Sequence, residues 1–379
     1  MAFHQWLGAR TFWLLTLVVL IFFWISYARL FTFTEAGLNI SVTSPRDGHF
    51  SRSHVYVSNK TYRSQDFRQL IASWDRHYKI LQAEARIKGE VLNHYPDQVR
   101  FSFEVKETCE EPPLVLAMVV TSVENWRQRH FVRHSWGHPA LAQRTGIRPL
   151  FVVGEVGDPK LQAMLVKESQ RHGDVIQANF IDTYNNLTYK TTALITWAFQ
   201  NCPNTPFILK IDDDVIPNPL ALRDFLIVYL QQHPHPVEIM GSVRRCDEAL
   251  REGKWAVSNE TYPDERYPPF VAGPSYLLPM TVIPVLLQAI RRTKFLYLED
   301  VYTTGLAARL ACLAHYDLTS LTNFLPQDMD YYWCTGSTVF QQNVDLEEGM
   351  RGWNLLRKRE KLSDPPAYDL PTIHHTHTS

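Results

Sequence analysis

The chain carries one long uninterrupted apolar block near its N-terminus. Residues 11–28 read TFWLLTLVVLIFFWISYA and contain no charged side chain, and Trp13, Trp24 and Tyr27 lie toward the two ends of the block. As a helix, this block would span about 27 Å, close to a hydrocarbon thickness of about 30 Å. Aromatic rings favour the membrane interface, so the pattern predicts a transmembrane helix. A cleaved signal peptide is the alternative, although its apolar region usually has only about 7–15 residues.

Shorter apolar runs recur after residue 110 and alternate with stretches of helical spacing. Runs of apolar and β-branched residues predict strands at 114–123, 149–153, 175–181, 207–211 and 237–243. Helical stretches are predicted at 159–172, 187–200 and 218–232. This alternation is typical of an α/β fold with a mostly parallel central sheet flanked by helices. In such sheets, ligands bind beyond the carboxyl ends of the strands.

The same pattern divides the chain into four segments. We expect a cytoplasmic tail at 1–10, a transmembrane anchor at 11–28, a luminal stem at 29–110 and a folded domain at 111–379. The stem is polar and weakly patterned, except for apolar residues at helical spacing between 64 and 91. One helix packed on the body or a self-associating stem would explain that exception.

Charge and cysteine content narrow the class of protein. Lys and Arg total 38, and Asp and Glu total 39, whereas nucleic-acid binders normally carry a basic surplus. We therefore expect no nucleic-acid partner. Asn59, Asn186 and Asn259 each begin a glycosylation sequon, which favours a body that faces the lumen. The five cysteines allow at most two disulfides, and the sequence does not give their pairing.

Three consecutive carboxylates follow one of the predicted strands. In FILKIDDDVIPNP, Asp212, Asp213 and Asp214 come directly after the apolar run 207–211. Because alternate side chains of an extended chain share a face, Asp212 and Asp214 should point one way and Asp213 the other. Two carboxylates on one face suit Mg²⁺ or Mn²⁺, especially where a phosphate completes the coordination shell. The alternative is that Asp214 caps the next helix and the other two are solvated.

Six ordered blocks sharpen this interpretation. They include WRQRHFVRHSWG, ESQRHGDVIQANFIDTYNNLTYKT, RYPPFVAGPSYLLP and LEDVYTTGLAA, and they occupy residues 126–137, 151–155, 168–191, 207–219, 266–279 and 298–308. Together they resemble the β-1,3-galactosyltransferase family (glycosyltransferase family 31). One block alone would be weak evidence, but six in the family's order, across about half of the chain, are specific.

The resemblance implies a nucleotide-sugar-binding glycosyltransferase A-type fold and a type II Golgi membrane protein with its catalytic domain in the lumen. It also implies transfer of a hexose, galactose first of all, from a UDP-sugar to a glycoprotein or glycolipid in β1,3 linkage with inversion. The partners would be the UDP-sugar, a glycan acceptor and the membrane, and a homodimer is left open. The alternatives are UDP-GlcNAc or UDP-GalNAc as donor, or an inactive lectin-like or chaperone-like relative.

The resemblance also assigns residues to the donor side. Asp212 and Asp214 would hold Mn²⁺ or Mg²⁺, which a departing diphosphate needs. The nucleotide would be bound by Arg129, Arg133, Trp136, Asp182, Lys190 and Asp213. Structural interpretations stay open: an ion pair for the two arginines and for Lys190, and a core position for Trp136.

On the acceptor side, Asp300 matches the family's catalytic base and Glu299 would support it. The acceptor hydroxyl has a pKa far above neutrality, so a carboxylate must take its proton. Gly273 and Tyr276 would lie beside the acceptor. The structural alternative for Glu299 and Asp300 is a helix N-terminus, because a helical run is predicted at 303–313.

The chain departs from the family pattern near this base. The E-D-V-Y-x-G spacing has gained a residue, so that Thr303 and Thr304 both precede Gly305. Ser275 and Val271 stand where a glycine and often a cysteine are expected. These departures fall where the acceptor should bind, and they leave the donor sugar and the acceptor open.

Overall fold

The computed structural model of the protein describes residues 87, 89–103, 105, 109–325, 338–342 and 344–362. All of them belong to one compact unit within residues 59–379. The predicted anchor at 11–28, the sequon at Asn59 and most of the predicted stem helix lie outside the described residues. Among the residues that are described, no helix has the length and apolar character needed to cross a membrane.

Four parallel strands form one half of the central sheet. They are β1 (Val115–Val120), β2 (Ile147–Glu155), β3 (Val175–Ile181) and β4 (Phe207–Asp212), and they lie in the order β3-β2-β1-β4. Every residue of β1 is buried, which is typical of a parallel strand covered on both faces. The predicted strands are confirmed, with ends that differ by a few residues.

The other half of the sheet contains the antiparallel strand. Strand β7 (Phe270–Pro279) pairs antiparallel with β4 and with β6 (Glu238–Arg244), and β8 (Ala314–Asp317) pairs parallel with β6. The expected α/β fold with a mostly parallel sheet is therefore confirmed. The sequence analysis did not identify β7 as a strand, because Pro274 and the preceding Pro-Pro pair are typical of loops.

Helices connect these strands. In chain order they are α1 (Tyr95–Gln98), α2 (Trp126–His134), α3 (Pro139–Thr145), α4 (Pro159–His172), α5 (Leu187–Asn201), α6 (Pro219–Gln232), α7 (Ile283–Arg292), α8 (Ala308–Leu310) and α9 (Leu346–Glu360). Local chemistry sets their ends: Asp158 Oδ1 accepts a 2.8 Å hydrogen bond from Lys160 N at the start of α4. Gly173 ends α4 with φ +66°, a conformation that glycine adopts without a steric penalty. The predicted helices α4, α5 and α6 are confirmed.

A small second sheet brings the C-terminal part of the chain to the turn after β4. Its strands are β5 (Ile216–Pro217), β9 (Thr322–Asn323) and β10 (Phe340–Gln341), in the order β5-β10-β9. Val344 N also donates a 3.0 Å hydrogen bond to Asp214 O. The segment that matched no family block in the sequence therefore supports the backbone of the acidic turn.

The helical run predicted at 303–313 begins earlier and has a different geometry. Residues Val301–Ala307 form a π-helix, which continues into α8. A π-helix has a wider turn than an α-helix and accommodates one extra residue. The additional residue in EDVYTTG is thus absorbed within the π-helix, which begins directly after Asp300 and includes Gly305.

Segments before β1 are fastened to this fold. Cys109 forms a disulfide with Cys202, which directly follows α5, while Cys246 and Cys312 are free and exposed. Asn93 Nδ2 donates a 3.0 Å hydrogen bond to Tyr302 OH in the π-helix. Part of the segment assigned to the stem, from residue 89 onward, therefore packs on the folded domain.

Candidate active site

The acidic turn lies at the carboxyl edge of the parallel strands. Val120 at the end of β1 is in register with Asp212 at the end of β4, and Asp213 N donates a 3.2 Å hydrogen bond to Val120 O. The turn after β4 thus lies against the loop after β1. In parallel α/β sheets, ligands bind in the crevice at this edge.

The three aspartates face different surroundings. Asp213 Oδ2 accepts hydrogen bonds from Thr121 Oγ1 at 2.6 Å and from Asn125 Nδ2 at 2.9 Å, so this carboxylate braces the loop after β1. Asp214 is exposed, and Asp212 keeps 33% of its side chain accessible. The idea that Asp214 caps α6 is wrong, because the cap is Asn218, whose Oδ1 accepts from Ala221 N at 3.1 Å.

Lys210 is the buried cation of the site. Its side chain is 2% exposed, and its Nζ lies 2.6 Å from Asp212 Oδ1 and 2.6 Å from Gly273 O. The same Nζ lies 3.1 Å from Glu299 Oε1, an ionic contact that lacks hydrogen-bond geometry. Lys210 therefore connects the acidic turn with β7 and with the segment that carries Glu299.

Asp300 lies on the other side of Gly273. Gly273 N donates a 3.0 Å hydrogen bond to Asp300 Oδ2, and Val301 N donates a 2.8 Å hydrogen bond to Asp300 Oδ1. A Cβ on residue 273 would lie 3.1 Å from Glu299 Oε1 and 3.2 Å from Asp300 Oδ2, so glycine leaves the space that both carboxylates occupy. Asp300 is also the N-cap of the π-helix, and the two interpretations of this residue are compatible.

Two buried side chains hold Glu299 by hydrogen bonds. Its Oε2 accepts hydrogen bonds from Thr191 Oγ1 and Tyr276 OH, each at 3.0 Å. Tyr276 is fully buried in β7, so it orients Glu299 and cannot lie against an acceptor as the sequence analysis expected. Glu299 is itself buried, whereas Asp300 is only half-buried.

Burial controls the electrostatics of these carboxyl groups. It raises the pKa of Asp212, of Glu299 and of Asp300, and the positive charge of Lys210 opposes the shift in all three. The lysines that interact with these acids are Lys210, Lys190 and Lys254. They are outnumbered by the five carboxylates gathered here, which are Asp212, Asp213, Asp214, Glu299 and Asp300. A divalent cation beside the exposed members fits this excess of negative charge.

Asp182 and Lys190 form a buried ion pair behind the strand ends. Lys190 Nζ lies 2.6 Å from Asp182 Oδ1 and donates a 2.7 Å hydrogen bond to Thr121 O. Asp182 Oδ2 accepts a 2.8 Å hydrogen bond from Gly154 N at the end of β2. The pair fastens β1 to β2, in agreement with the salt-bridge interpretation of Lys190.

Arg129 and Arg133 are also engaged in ion pairs. Arg129 is 1% exposed and lies 2.7 Å from Glu168 Oε2, and its guanidinium also donates to the carbonyls of Ser122 and Val123. Arg133 contacts Glu168 at 2.8 Å and Asp174 at 2.7 Å. These contacts match the structural alternative: both guanidinium groups anchor α2, and Arg129 shapes the loop after β1.

Trp136 is a core residue. Its side chain is 0% exposed, and it lies two residues after the end of α2. A fully buried indole cannot present a face to a nucleotide base, so the expected stacking role is incompatible with this position. The core alternative from the sequence analysis holds.

Thr304 is a residue that sequence reasoning noted only as part of an insertion. Its Oγ1 accepts a 2.8 Å hydrogen bond from Val271 N and lies 2.7 Å from Asp300 O. The π-helix is thereby attached to β7, one turn after Asp300. A buried hydroxyl between two elements far apart in sequence is a tertiary contact, and the motif gave no signal for it.

Two of the predicted glycosylation sites fall among the described residues. Asn259 is exposed. Asn186 is half-buried, its Nδ2 donates a 2.8 Å hydrogen bond to Ile181 O, and the hydroxyl of Thr188 in the same sequon is buried against Leu296 O. Glycosylation at these positions remains a prediction.

The part of the chain that carries these residues also resembles known proteins. Residues 127–319 match the family model described as Galactosyltransferase. Beta-1,3-galactosyltransferase 5 of Homo sapiens is 29% identical over 227 residues, 59% of this chain and 72% of that relative. Beta-1,3-galactosyltransferase 1 of Mus musculus is 28% identical over 274 residues, 70% of this chain and 81% of that relative. A solved galactosyltransferase in complex with donor and acceptor sugar analogs covers 64% of this chain and 95% of its own at 9% identity, with a TM-score of 0.33, too low to add to the description of the fold.

The buried charge of Lys210 gives a first prediction. Lys210→Met should lower the free energy of unfolding by about 3–5 kcal/mol, because it leaves buried carboxylates without their counter-charge. The carboxyl pKa values would rise further, so the folded state would bind more protons than the unfolded state, and the deficit should shrink as the pH falls from 8 to 5. Chemical denaturation at several pH values measures this.

Lys160→Met, at an exposed position on α4, is the matched control and should unfold like the wild type. An equal and pH-independent effect of both substitutions would show that Lys210 is not the counter-charge of the site.

The hydroxyl of Thr304 gives a second prediction. Thr304→Val keeps the shape of the side chain but leaves Val271 N–H buried and unpaired, so we expect a loss of about 1–3 kcal/mol in the free energy of unfolding. Thr304→Ser retains the hydroxyl and should recover most of that loss. Thermal and denaturant unfolding of both variants test this, and equal destabilisation by Val and Ser would contradict it.

Proposed function

Because this chain belongs to the galactosyltransferase family, as a divergent member of the β-1,3-galactosyltransferases, we propose that it transfers galactose from UDP-galactose to a glycan in β1,3 linkage. The acceptor glycan is carried by a protein or a lipid, and the transfer inverts the anomeric centre. The α/β domain acts as a nucleotide-sugar-binding fold of the glycosyltransferase A type, with the reaction at the carboxyl edge of β1 and β4.

One observation carries this proposal. The acidic turn and Asp300 are 88 positions apart in sequence, yet they share one site. Asp212 contacts Lys210, Lys210 contacts Gly273 O, and Gly273 N donates to Asp300, over distances of 2.6, 2.6 and 3.0 Å. A metal-bound diphosphate and a base acting on an incoming hydroxyl both require this proximity.

Asp212 and Asp214 fit the metal that such a reaction uses. Their carboxylate oxygens suit Mn²⁺ or Mg²⁺, ions that commonly take one or two protein carboxylates and complete their shell with substrate phosphate and water. The described part of the chain has no group of three or more His, Cys, Asp or Glu side chains placed to bind a metal, so the proposal gives the protein only these two ligands. When bound, the ion would neutralise charge that develops on the leaving diphosphate.

Asp300 is the base in this proposal. It takes the proton of the acceptor hydroxyl as the acceptor oxygen bonds to the anomeric carbon and the bond from that carbon to the diphosphate breaks. The two backbone N–H groups on Asp300 fix its carboxylate, and burial raises its pKa, which makes it a better proton acceptor. Glu299 and Lys210 hold the segment in place.

The donor nucleotide lies over the loop after β1 in this proposal. Asp213, the Asp182–Lys190 pair and Arg129 each hydrogen-bond to that loop or its ends. They act by holding the surface on which the nucleotide binds. The apolar block at 11–28 anchors the protein in the Golgi membrane with this domain in the lumen.

Asp300 gives the test of the function. Purified full-length wild type should transfer galactose from UDP-galactose, in preference to GlcNAc or GalNAc from their UDP forms, to a panel of acceptor glycosides. Asp300→Asn should lose about 10²–10⁴-fold in the rate of transfer, the usual contribution of a general base, and should still bind UDP with Mn²⁺. The exposed Asp97→Asn is the control and should be fully active. An active Asp300→Asn enzyme would mean that another group is the base.

The metal ligands are tested separately by UDP binding. Asp214→Ala should weaken Mn²⁺-dependent binding of UDP by about ten-fold or more, because even residues behind a ligand cost about 10–100-fold in metal affinity. Titration calorimetry with and without Mn²⁺ measures this, and the exposed Glu90→Ala should match the wild type. Unchanged affinity in Asp214→Ala would remove this residue from the metal site.

A further inference from the structure

Two aromatic side chains stay largely accessible beside the site. Tyr184 is 44% exposed and Trp255 is 53% exposed. Trp255 Nε1 donates a 2.9 Å hydrogen bond to Tyr184 OH, and Lys254 Nζ lies 4.8 Å from the centre of the Tyr184 ring. Large apolar rings normally lose most of their accessible surface on folding, so a fixed and exposed pair indicates a binding surface.

The chain around Trp255 is held firmly. Arg251 donates hydrogen bonds to the carbonyls of Val257, Tyr262 and Asp264. Tyr297 OH donates a 2.8 Å hydrogen bond to Ala256 O and lies 3.3 Å from Lys254 O. Trp255 is therefore exposed on a loop that these hydrogen bonds hold in place.

These contacts place the pair next to the proposed base. Tyr297 lies two residues before Glu299 and three before Asp300, so its hydroxyl connects the Trp255 loop to the catalytic segment. Tyr184 lies in the turn between β3 and α5, at the carboxyl edge of the sheet. Burial raises the pKa of Tyr184, and the negative charges of Asp300, Asp212 and Glu299 add to that shift, which agrees with a position at the mouth of the site.

We propose that Tyr184 and Trp255 form a platform on which the acceptor sugar ring stacks, with Lys254 at its edge as a donor to sugar hydroxyls. This inference rests on the proposed function. One face of a pyranose carries C–H groups and packs on aromatic rings, while its hydroxyls take hydrogen bonds at the rim. The stacked sugar is assigned to the acceptor because the platform lies beside Asp300, which must reach the attacking hydroxyl. The diphosphate of the donor is assigned to Asp212 and Asp214.

Kinetics of full-length variants test the platform. At saturating UDP-galactose, Trp255→Ala should raise the KM for the acceptor about ten-fold, the effect expected for a lost stacking contact and its buried area. Affinity for UDP with Mn²⁺ should stay within two-fold of the wild type, roughly 0.4 kcal/mol. Trp255→Phe keeps an aromatic ring and should recover part of the loss in acceptor affinity. Tyr184→Phe loses the oxygen that orients the indole, so its acceptor KM should lie between those of the wild type and Trp255→Ala.

Met164→Ala is the matched control, since Met164 is 56% exposed on α4, and its acceptor KM should equal that of the wild type. An unchanged acceptor KM in Trp255→Ala, or a rise confined to the KM for the UDP-sugar, would overturn the platform.

A second readout separates the platform from the reaction. Saturation-transfer NMR with methyl β-glycosides of galactose, GlcNAc and GalNAc measures sugar binding without turnover. If the wild type transfers no sugar, the proposed function fails. A glycoside signal that Trp255→Ala abolishes would still support the platform, and a signal that survives in Trp255→Ala would refute it. The unfolding temperature of each variant shows that the fold is intact.

Discussion

The whole site depends on one buried positive charge, that of Lys210. An ammonium group that is 2% exposed requires carboxylates and carbonyls around it, because the penalty for desolvating an unpaired charge is several kcal/mol. Here the partners come from β4, from β7 and from the segment before the π-helix. The requirement to pair this charge therefore brings together three pieces of chain, and with them the acids on which the proposed chemistry depends.

Around that charge, the divergence of the chain is accommodated locally. The additional residue in the last motif widens one helical turn into a π-helix, and Thr304 attaches this turn to β7. Asp300 keeps its two backbone donors as a result. The insertion is therefore no evidence that the proposed catalytic site has been lost. Thr303 and Thr304 are both fully buried, so the additional residue is taken up inside the fold.

The donor and acceptor sides of the proposed site differ in construction. On the donor side, buried ion pairs such as Asp182 with Lys190 hold the loops, and Asp212 and Asp214 stay accessible to a metal. On the acceptor side, Tyr184 and Trp255 stay exposed on a well-braced loop. Charge neutralisation and ring stacking are different requirements, and each is met by a different part of the chain.

The sequence by itself determined the strands β1 to β4 and β6 and the helices α4, α5 and α6, because these depend on local periodicity. Its ordered motifs also singled out the acidic turn and Asp300. It could not determine β7, whose prolines are typical of loops, nor the roles of Lys210 and Thr304. It also assigned Trp136, Tyr276 and the arginines to ligands, although the structure buries Trp136 and Tyr276 or pairs the arginines with acids. Burial and pairing are properties of the packed chain: a motif fixes which side chain is present, and only the tertiary structure decides whether it faces a ligand or the core.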